Sequence, residues 1–294
     1  VYSTVIAGCT LVYENSRFDA ARSERRMHEL RTTIYNGAPP HFAMMCDLPA
    51  GDQPPCLDLL ISGGSAFTKA LHRRMAERWP GAAIANWYGL MESGTGQTLS
   101  WGEDIAREPE SIGRPVWPTE VRVVDADRND VDDGVEGELW LRAPAQMREY
   151  FRNPEQTAQR LHAGWLRTGD RARKDGSGLY HVVGRTEDRI NRGGFKFYPA
   201  ELESVLEQHE GVREAGVIAV PHPTLGEDVV AFVVIGAGGE VSEEDLKQHC
   251  RQRVAANKVP AQILFEETLP RSSYGKVVRR ELAERYASRK EHDE

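Results

Sequence analysis

Lys276 stands in the Ser/Gly loop SSYGK, ahead of Arg279 and Arg280, where a flexible ammonium could reach an anionic oxygen on more than one substrate. Glu92 falls just past a strand-like run in NWYGLMESGTG (86–96), at the strand edge where open α/β sheets place ligands. A single carboxylate there suffices for a Mg2+ ion that phosphates and water already hold. Asp170 closes GWLRTGD (164–170); Gly169 permits a tight turn that leaves two acceptor oxygens facing a cleft, which suits a pair of neighbouring hydroxyls. Arg185, Glu187, Gly193, Gly194 and Lys196 follow within GRTEDRINRGGFKFYPAELE (184–203). Cations and fixed donors of this kind serve a reaction in which charge builds on phosphate oxygens. Each residue also has a plain structural reading. Lys276 could be a solvated lysine before a basic helix, Glu92 an exposed loop acid, Asp170 a turn cap paired with Arg185, and the Gly-Gly stretch a β-turn.

Positioning such groups needs a scaffold. SRFDAARSERRMHELR (16–31) reads as a helix with Phe18, Ala21, Met27 and Leu30 on its inner face. A short strand follows at 33–35. LDLLIS (57–62) reads as a buried strand, Gly63-Gly64 as a turn, TKALHRRMAERW (68–79) as a helix with Leu71, Met75 and Trp79 on one face, and AAIANWYG (82–89) as the next strand. That is a βαβ unit with parallel strands. From Pro115 to Gly184 short alternating runs, VRVVDAD, GELWLRA and GLYHVVG, predict antiparallel structure, a small barrel. Beyond Arg185, VREAGVIAV and DVVAFVV alternate with helices that open at Pro199 and at Ser242, the latter with Asp245 completing a capping box. The fold class is therefore α/β: a partial α/β sheet layer, an antiparallel barrel and a compact α+β tail.

The 294 residues exceed one compact domain, and each of two units can bury its own core. Lys+Arg 37 against Asp+Glu 45 gives a net charge of -8, which argues against a nucleic-acid surface. Cys9, Cys46, Cys56 and Cys250 show no metal-ligand or redox spacing and read as free thiols in a reducing cytoplasm. The opening VYSTVIAGCTLVY lacks the basic flank of a signal peptide, and no apolar run reaches membrane-spanning length, so no membrane insertion is expected. The chain starts at Val1 and is read as part of a longer protein.

The four strings around Glu92, Asp170, Gly193-Gly194 and Lys276, in that order, resemble the AMP-forming adenylating enzymes, the superfamily of acyl- and aryl-CoA synthetases, luciferases and peptide-synthetase adenylation domains. The resemblance spans most of the chain. It implies that residues 1–184 are the carboxy-terminal part of a large AMP-binding domain (α/β segment 1–114, barrel segment 115–184), and that 185–294 form a small mobile domain rotating about Glu187. It further implies ATP, Mg2+ and CoA, or the phosphopantetheine of an acyl carrier protein, as cofactors. Lys276 would promote adenylate formation and Glu92 would hold Mg2+. The family's Thr, whose hydroxyl meets a phosphate, is replaced by Met91. Asp170 would bind the ribose hydroxyls and Arg185 the ribose or phosphate. Tyr88 would face adenine, with Asn86, Trp87 and Gly89 beside it, and Gly63-Gly64-Ser65 would approach the base from the other side. The acid pocket would lie near Gly37, Gly63-Gly64 and Gly94-Thr95-Gly96, where glycines leave room for a flat or aliphatic body. After rotation Gly193-Gly194 would line the pantetheine channel and Lys196 would contact the adenylate or the thiol donor's phosphates.

The family's phosphate loop is absent from these residues, so the missing amino-terminal half of the enzyme is an expected partner and the chain alone should bind ATP poorly. The activity implied is activation of a small-molecule carboxylic acid, aryl or medium-sized aliphatic, to acyl-AMP, then thioester formation with CoA. Two alternatives stay open: loading of a carrier protein, and a non-adenylating module that binds a preformed adenylate or a partner.

Overall fold

The computed structural model describes residues 7–12, 18–49, 51, 54, 56–94, 96–236, 241–272 and 276–290, and the backbone of 291–293. Most of VYSTVIAGCTLVY, Thr95 and 273–275 of the lysine loop lie outside the described residues.

The chain first builds a five-stranded sheet. Helix α1 (Ala20–Glu29) opens on Asp19, whose side chain accepts from the Arg22 N–H. Its inner face is Ala20, Ser23 and Met27; Ala21 and Leu30 are exposed, because the helix starts at Ala20 and Leu30 falls at its C-cap. This corrects the expected face by one position. Strand β1 (Ile34–Gly37), helix α2 (Pro39–Cys46), β2 (Leu59–Gly63), α3 (Lys69–Arg78) and β3 (Ala83–Gly89) follow. Thr68 caps α3, and Leu71, Met75 and Trp79 are buried, as their spacing requires. β1, β2 and β3 pair in parallel; β4 (Gly96–Trp101) and β5 (Arg114–Pro115) add antiparallel to complete the order β1-β2-β3-β4-β5. Helix α4 (Glu103–Arg107) lies between β4 and β5.

The second sheet is antiparallel: β6 (Glu120–Val124), β7 (Gly137–Arg142), β9 (Trp165–Lys174) and β10 (Tyr180–Arg185) run in the order β10-β9-β7-β6, with β8 (Leu161–His162) on β9 and helix α5 (Pro154–Arg160) in the β7–β8 connection. Among the described residues the end strands β6 and β10 do not pair, so the expected barrel is an open half-barrel. Local alternation fixes antiparallel pairing, whereas closure depends on strand tilt and stagger that alternation does not encode. The two sheets are stitched at Gly113, which bridges Tyr180: the Tyr180 N–H donates to the Gly113 carbonyl at 3.0 Å and the Ile112 N–H to the Tyr180 carbonyl at 2.9 Å.

The third sheet has the order β12-β11-β14-β13, from β11 (Ile190–Arg192), β12 (Phe195–Phe197), β13 (Val212–His222) and β14 (Gly226–Ile235), with β15 (Gln262–Phe265) parallel on β14. Helix α6 (Pro199–Glu207) carries Pro199 in its first turn, and α7 (Glu243–Arg251) carries the Ser242–Asp245 capping box. Helix α8 (Arg279–Asp293) ends the chain, and β13 forms the sheet edge. Unpaired edge amides need partners. Two glutamates one turn apart on α6 provide them: Glu203 accepts from Val217 N–H at 2.9 Å and Glu207 from Ala215 N–H at 3.2 Å. No described helix is long and apolar enough to cross a membrane.

Burial pushes the Glu207 carboxyl up from 4.5 to about 8, with Glu203 and Glu214 adding to the rise and the Ala215 N–H opposing it. The folded chain therefore holds this proton where the unfolded chain has lost it, and stability falls as pH rises through that window. Glu207→Gln, neutral at every pH, should match the parent near pH ~4 and be more stable by about 3 kcal/mol near pH ~9. Urea denaturation at both pH values checks it; an equal offset at both would refute it.

Candidate active site

The end of β3 and the loop after it, with strands β9 and β10 of the half-barrel, supply the site. Gly169, at φ +77°, kinks β9 so that Asp170 turns inward, with only 5% of its surface exposed. Its N–H donates to Thr168 Oγ1 at 3.0 Å, and the Thr168 hydroxyl donates to the Leu139 carbonyl at 2.7 Å. The Tyr88 hydroxyl donates to one Asp170 oxygen at 2.5 Å, and Arg185, opposite it on β10, meets the other at 3.3 Å. Burial raises the Asp170 carboxyl above the ordinary range; the Tyr88 bond, Arg185, Lys276 and Arg160 pull it back. Burial also lowers the Lys276 ammonium, Arg185 adds to that, and Asp170 opposes it. The Lys276 charge is thus near enough to Asp170 and Arg185 to be felt by both.

The stem of the lysine loop is fixed. Arg271 bridges Val277, and the Ser272 N–H donates to the Lys276 carbonyl at 2.8 Å. Arg271 pairs with Glu214 at 2.5 Å and Arg279 with Glu203 at 2.7 Å, one on each side of the loop.

Glu92 sits in the 3-10 turn Met91–Ser93, held by the Tyr150 hydroxyl, which donates to Oε1 at 2.8 Å, and by the Met147 N–H, which donates to its carbonyl at 2.8 Å. Met91 is 93% exposed and brings no hydroxyl to that turn. No group of three or more His, Cys, Asp or Glu that could cage a metal occurs among the described residues. The donor set fits a cation that arrives on a nucleotide and takes one protein carboxylate.

The remaining candidates divide. Asn86 is buried and donates to the Ser111 carbonyl at 3.0 Å, which ties β3 to the junction segment. Trp87 turns to the opposite face, where a Cβ on Gly96 would fall 0.5 Å from its indole nitrogen; that nitrogen is buried without a partner among the described residues. A Cβ on Gly63 would meet the Trp87 carbonyl at 2.6 Å, one on Gly37 the ring edges of Tyr35 and Phe42, and one on Gly94 the Ala145 carbonyl at 2.4 Å. The space these glycines leave is filled by the protein itself. Gly64, at φ +89°, faces open space, Ser65 is half-buried beside it, and Gly89 takes up a bulge against β4. Thr95 lies outside the described residues.

Glu187 is exposed in the 3-10 turn Thr186–Asp188 and meets Arg185 at 3.3 Å. Gly193 and Gly194, both left-handed, join β11 to β12 with Lys196 exposed beyond them. Arg192 pins that hairpin, donating to the Asn257 and Val259 carbonyls at 3.1 and 2.7 Å and pairing with Asp228 at 2.8 Å. Sequence reasoning missed Tyr150 and Arg160. Arg160, at the end of α5, lies against the kink, its guanidinium 2.6 Å from where a Gly169 Cβ would stand, and donates to the Arg167 carbonyl at 3.3 Å.

Two family models, curated relatives and solved structures match the chain. The family model described as AMP-binding enzyme matches residues 1–151, and that described as AMP-binding enzyme C-terminal domain matches 201–276. A long-chain-fatty-acid–CoA ligase of Yersinia pestis is 40% identical over 232 residues, covering 77% of this chain and 40% of the relative. A feruloyl-CoA synthase of Amycolatopsis sp is 32% identical over 285 residues, covering 96% of this chain and 57% of the relative. The solved anthranilate CoA ligase AuaEII, in complex with anthranoyl-AMP, superposes with a TM-score of 0.86 at 28% identity, covering 94% of this chain and 54% of that one. The chain thus spans between 40% and 57% of the length of these curated relatives. With the first family model alone matching more than half of the 294 residues, the chain belongs to the AMP-binding enzymes, within the AMP-forming adenylating superfamily.

Proposed function

We propose that this chain carries the nucleotide-holding and lysine-bearing portion of an ATP-dependent acid–thiol ligase, which activates a carboxylic acid to acyl-AMP and transfers the acyl group to CoA. The observation that supports it most is the buried Asp170, held by Tyr88 and paired with Arg185, with the Lys276 charge near enough to be felt by both. Asp170, steadied by Tyr88, accepts from the ribose hydroxyls, and Arg185 sits beside the sugar and α-phosphate. Lys276 neutralises charge as the carboxylate approaches phosphorus. Glu92 would hold a Mg2+ ion that screens the departing pyrophosphate. Rotation about Glu187 then withdraws Lys276 and presents Gly193-Gly194 and Lys196 to the adenylate for thiol attack. On this reading the phosphate loop would be supplied by an upstream portion of the polypeptide or by a partner. The Trp87 indole on Gly96 narrows the proposed acid pocket, which favours a flat aryl acid over a long chain.

Pyrophosphate release across a panel of aryl and aliphatic acids tests the reading, on the chain alone and on the longest polypeptide that contains it. CoA and a phosphopantetheinylated carrier serve as separate acceptor arms. Release by the longer polypeptide is expected, and none from any acid would overturn it.

The pH dependence carries a sign. Adenylation needs Asp170 ionised and Lys276 charged; Asp170 titrates above the usual aspartate range and Lys276 below the usual lysine range. The profile should therefore be narrowed from both sides, and Lys276→Arg, which stays charged, should move the alkaline limb upward. An unmoved limb would remove Lys276 from the rate-determining charge.

A further inference from the structure

The segment after β7 folds back over the Glu92 turn as a strap. Beyond the Met147 and Tyr150 bonds to Glu92, Ala145 packs so closely that its carbonyl oxygen lies 2.4 Å from the position of a Cβ on Gly94. Tyr150 is itself anchored through its main chain. Its backbone N–H donates to Thr157 Oγ1 at 2.9 Å, and the Thr157 hydroxyl donates to the Asn153 carbonyl at 2.8 Å, in the first turn of α5. Both Tyr150 and Glu92 are half-buried. A glutamate with three free torsions otherwise loses rotamer freedom when it must present an oxygen at one place. A phenol is suited to hold it: it donates one hydrogen bond and adds no positive charge that would compete with a cation.

We propose that Tyr150 is a positioning residue for Glu92, fixing Oε1 so that Oε2 is presented to a divalent cation carried by the nucleotide. The proposal rests on the cation-holding role of Glu92 given above and deepens it.

The test is a cation titration in the longest polypeptide that contains this chain. In Tyr150→Phe the Mg2+ concentration for half-maximal adenylate formation should rise about fivefold, while the rate at saturating Mg2+ stays within about twofold of the parent. Electron paramagnetic resonance with Mn2+ and ATP should show the same loss of cation affinity, independent of turnover. Thioester formation from supplied acyl-AMP should be unchanged. Adding Tyr150→Phe to Glu92→Gln should shift the cation midpoint no further, since the carboxylate to be positioned is gone. Thr157→Val, which loosens the tyrosine while keeping its hydroxyl, should give a smaller shift in the same direction and serves if Tyr150→Phe folds badly. An unmoved midpoint in both variants, or a Tyr150 effect that adds in full to that of Glu92→Gln, would overturn the proposal. If Glu92→Gln itself leaves the midpoint unmoved, the fault lies with the Glu92 assignment, and the proposal falls with it.

Discussion

Lys276→Ala should lower adenylate formation by about 10²–10³-fold while leaving thioester formation from supplied acyl-AMP within about threefold of the parent. The asymmetry follows from where the ammonium sits. In this structure its charge acts on Asp170 and Arg185, at the proposed nucleotide, and on the proposed reading it leaves that place before the thiol arrives. Truncation at Cβ removes the cation and keeps the loop stem, because Arg271–Glu214 and Arg279–Glu203 do not involve the lysine side chain. A bulky residue at Gly194 should do the reverse. Space around Gly194 is open, but its φ of +88° strains any L residue, and on the proposed reading the added side chain would intrude on the thiol's path. The two half-reactions, measured separately as pyrophosphate release and as thioester formed from synthetic adenylate, decide the matter. Equal losses in both for Lys276→Ala would contradict the assignment.

Gly113→Ala is expected to destabilise the chain by about 3–5 kcal/mol, enough to leave much of it unfolded at 37 °C in a marginally stable domain. A Cβ there would lie 1.9 Å from the Leu99 carbonyl oxygen and 2.3 Å from the Ser100 nitrogen, both backbone atoms that cannot swing aside. The φ of +78° adds strain to the overlap. The neighbouring contacts make relief costly. Ser111 and Ile112 accept from Asn86 and Thr98 on one side, and Gly113 bridges Tyr180 on the other, so any shift that frees the methyl breaks the seam between sheets. Urea denaturation monitored by tryptophan fluorescence reads the loss; a change under about 1 kcal/mol would show that the seam yields more easily than its contacts indicate.

Much of this was legible in the chain itself where one element decides the outcome. Leu71, Met75 and Trp79 recur at helical spacing, and their burial in α3 needs nothing beyond that period. The Ser242–Asp245 box is likewise a matter of four consecutive residues. Features set by how separate segments meet were not legible. Tyr150 touches Glu92 only because the strap after β7 returns over the turn, and its place in MREYFRN gives no hint of that. Glu203 and Glu207 read as ordinary polar helix positions, yet their partners are the free amides of a strand whose edge position follows from sheet order. The glycines near the proposed acid pocket were read as room for substrate; the indole of Trp87 and the carbonyl of Ala145 take that room, which one-dimensional spacing cannot reveal.

The clamped stem of the lysine loop has a further consequence. With Arg271 fastened to Glu214 on β13 and Arg279 to Glu203 on α6, the proposed withdrawal of Lys276 would carry its loop along with these elements rather than unzip it. On the proposed reading, departure of the cation and arrival of the glycine hairpin are one displacement seen from two ends, and a single molecule is not primed for both steps at once.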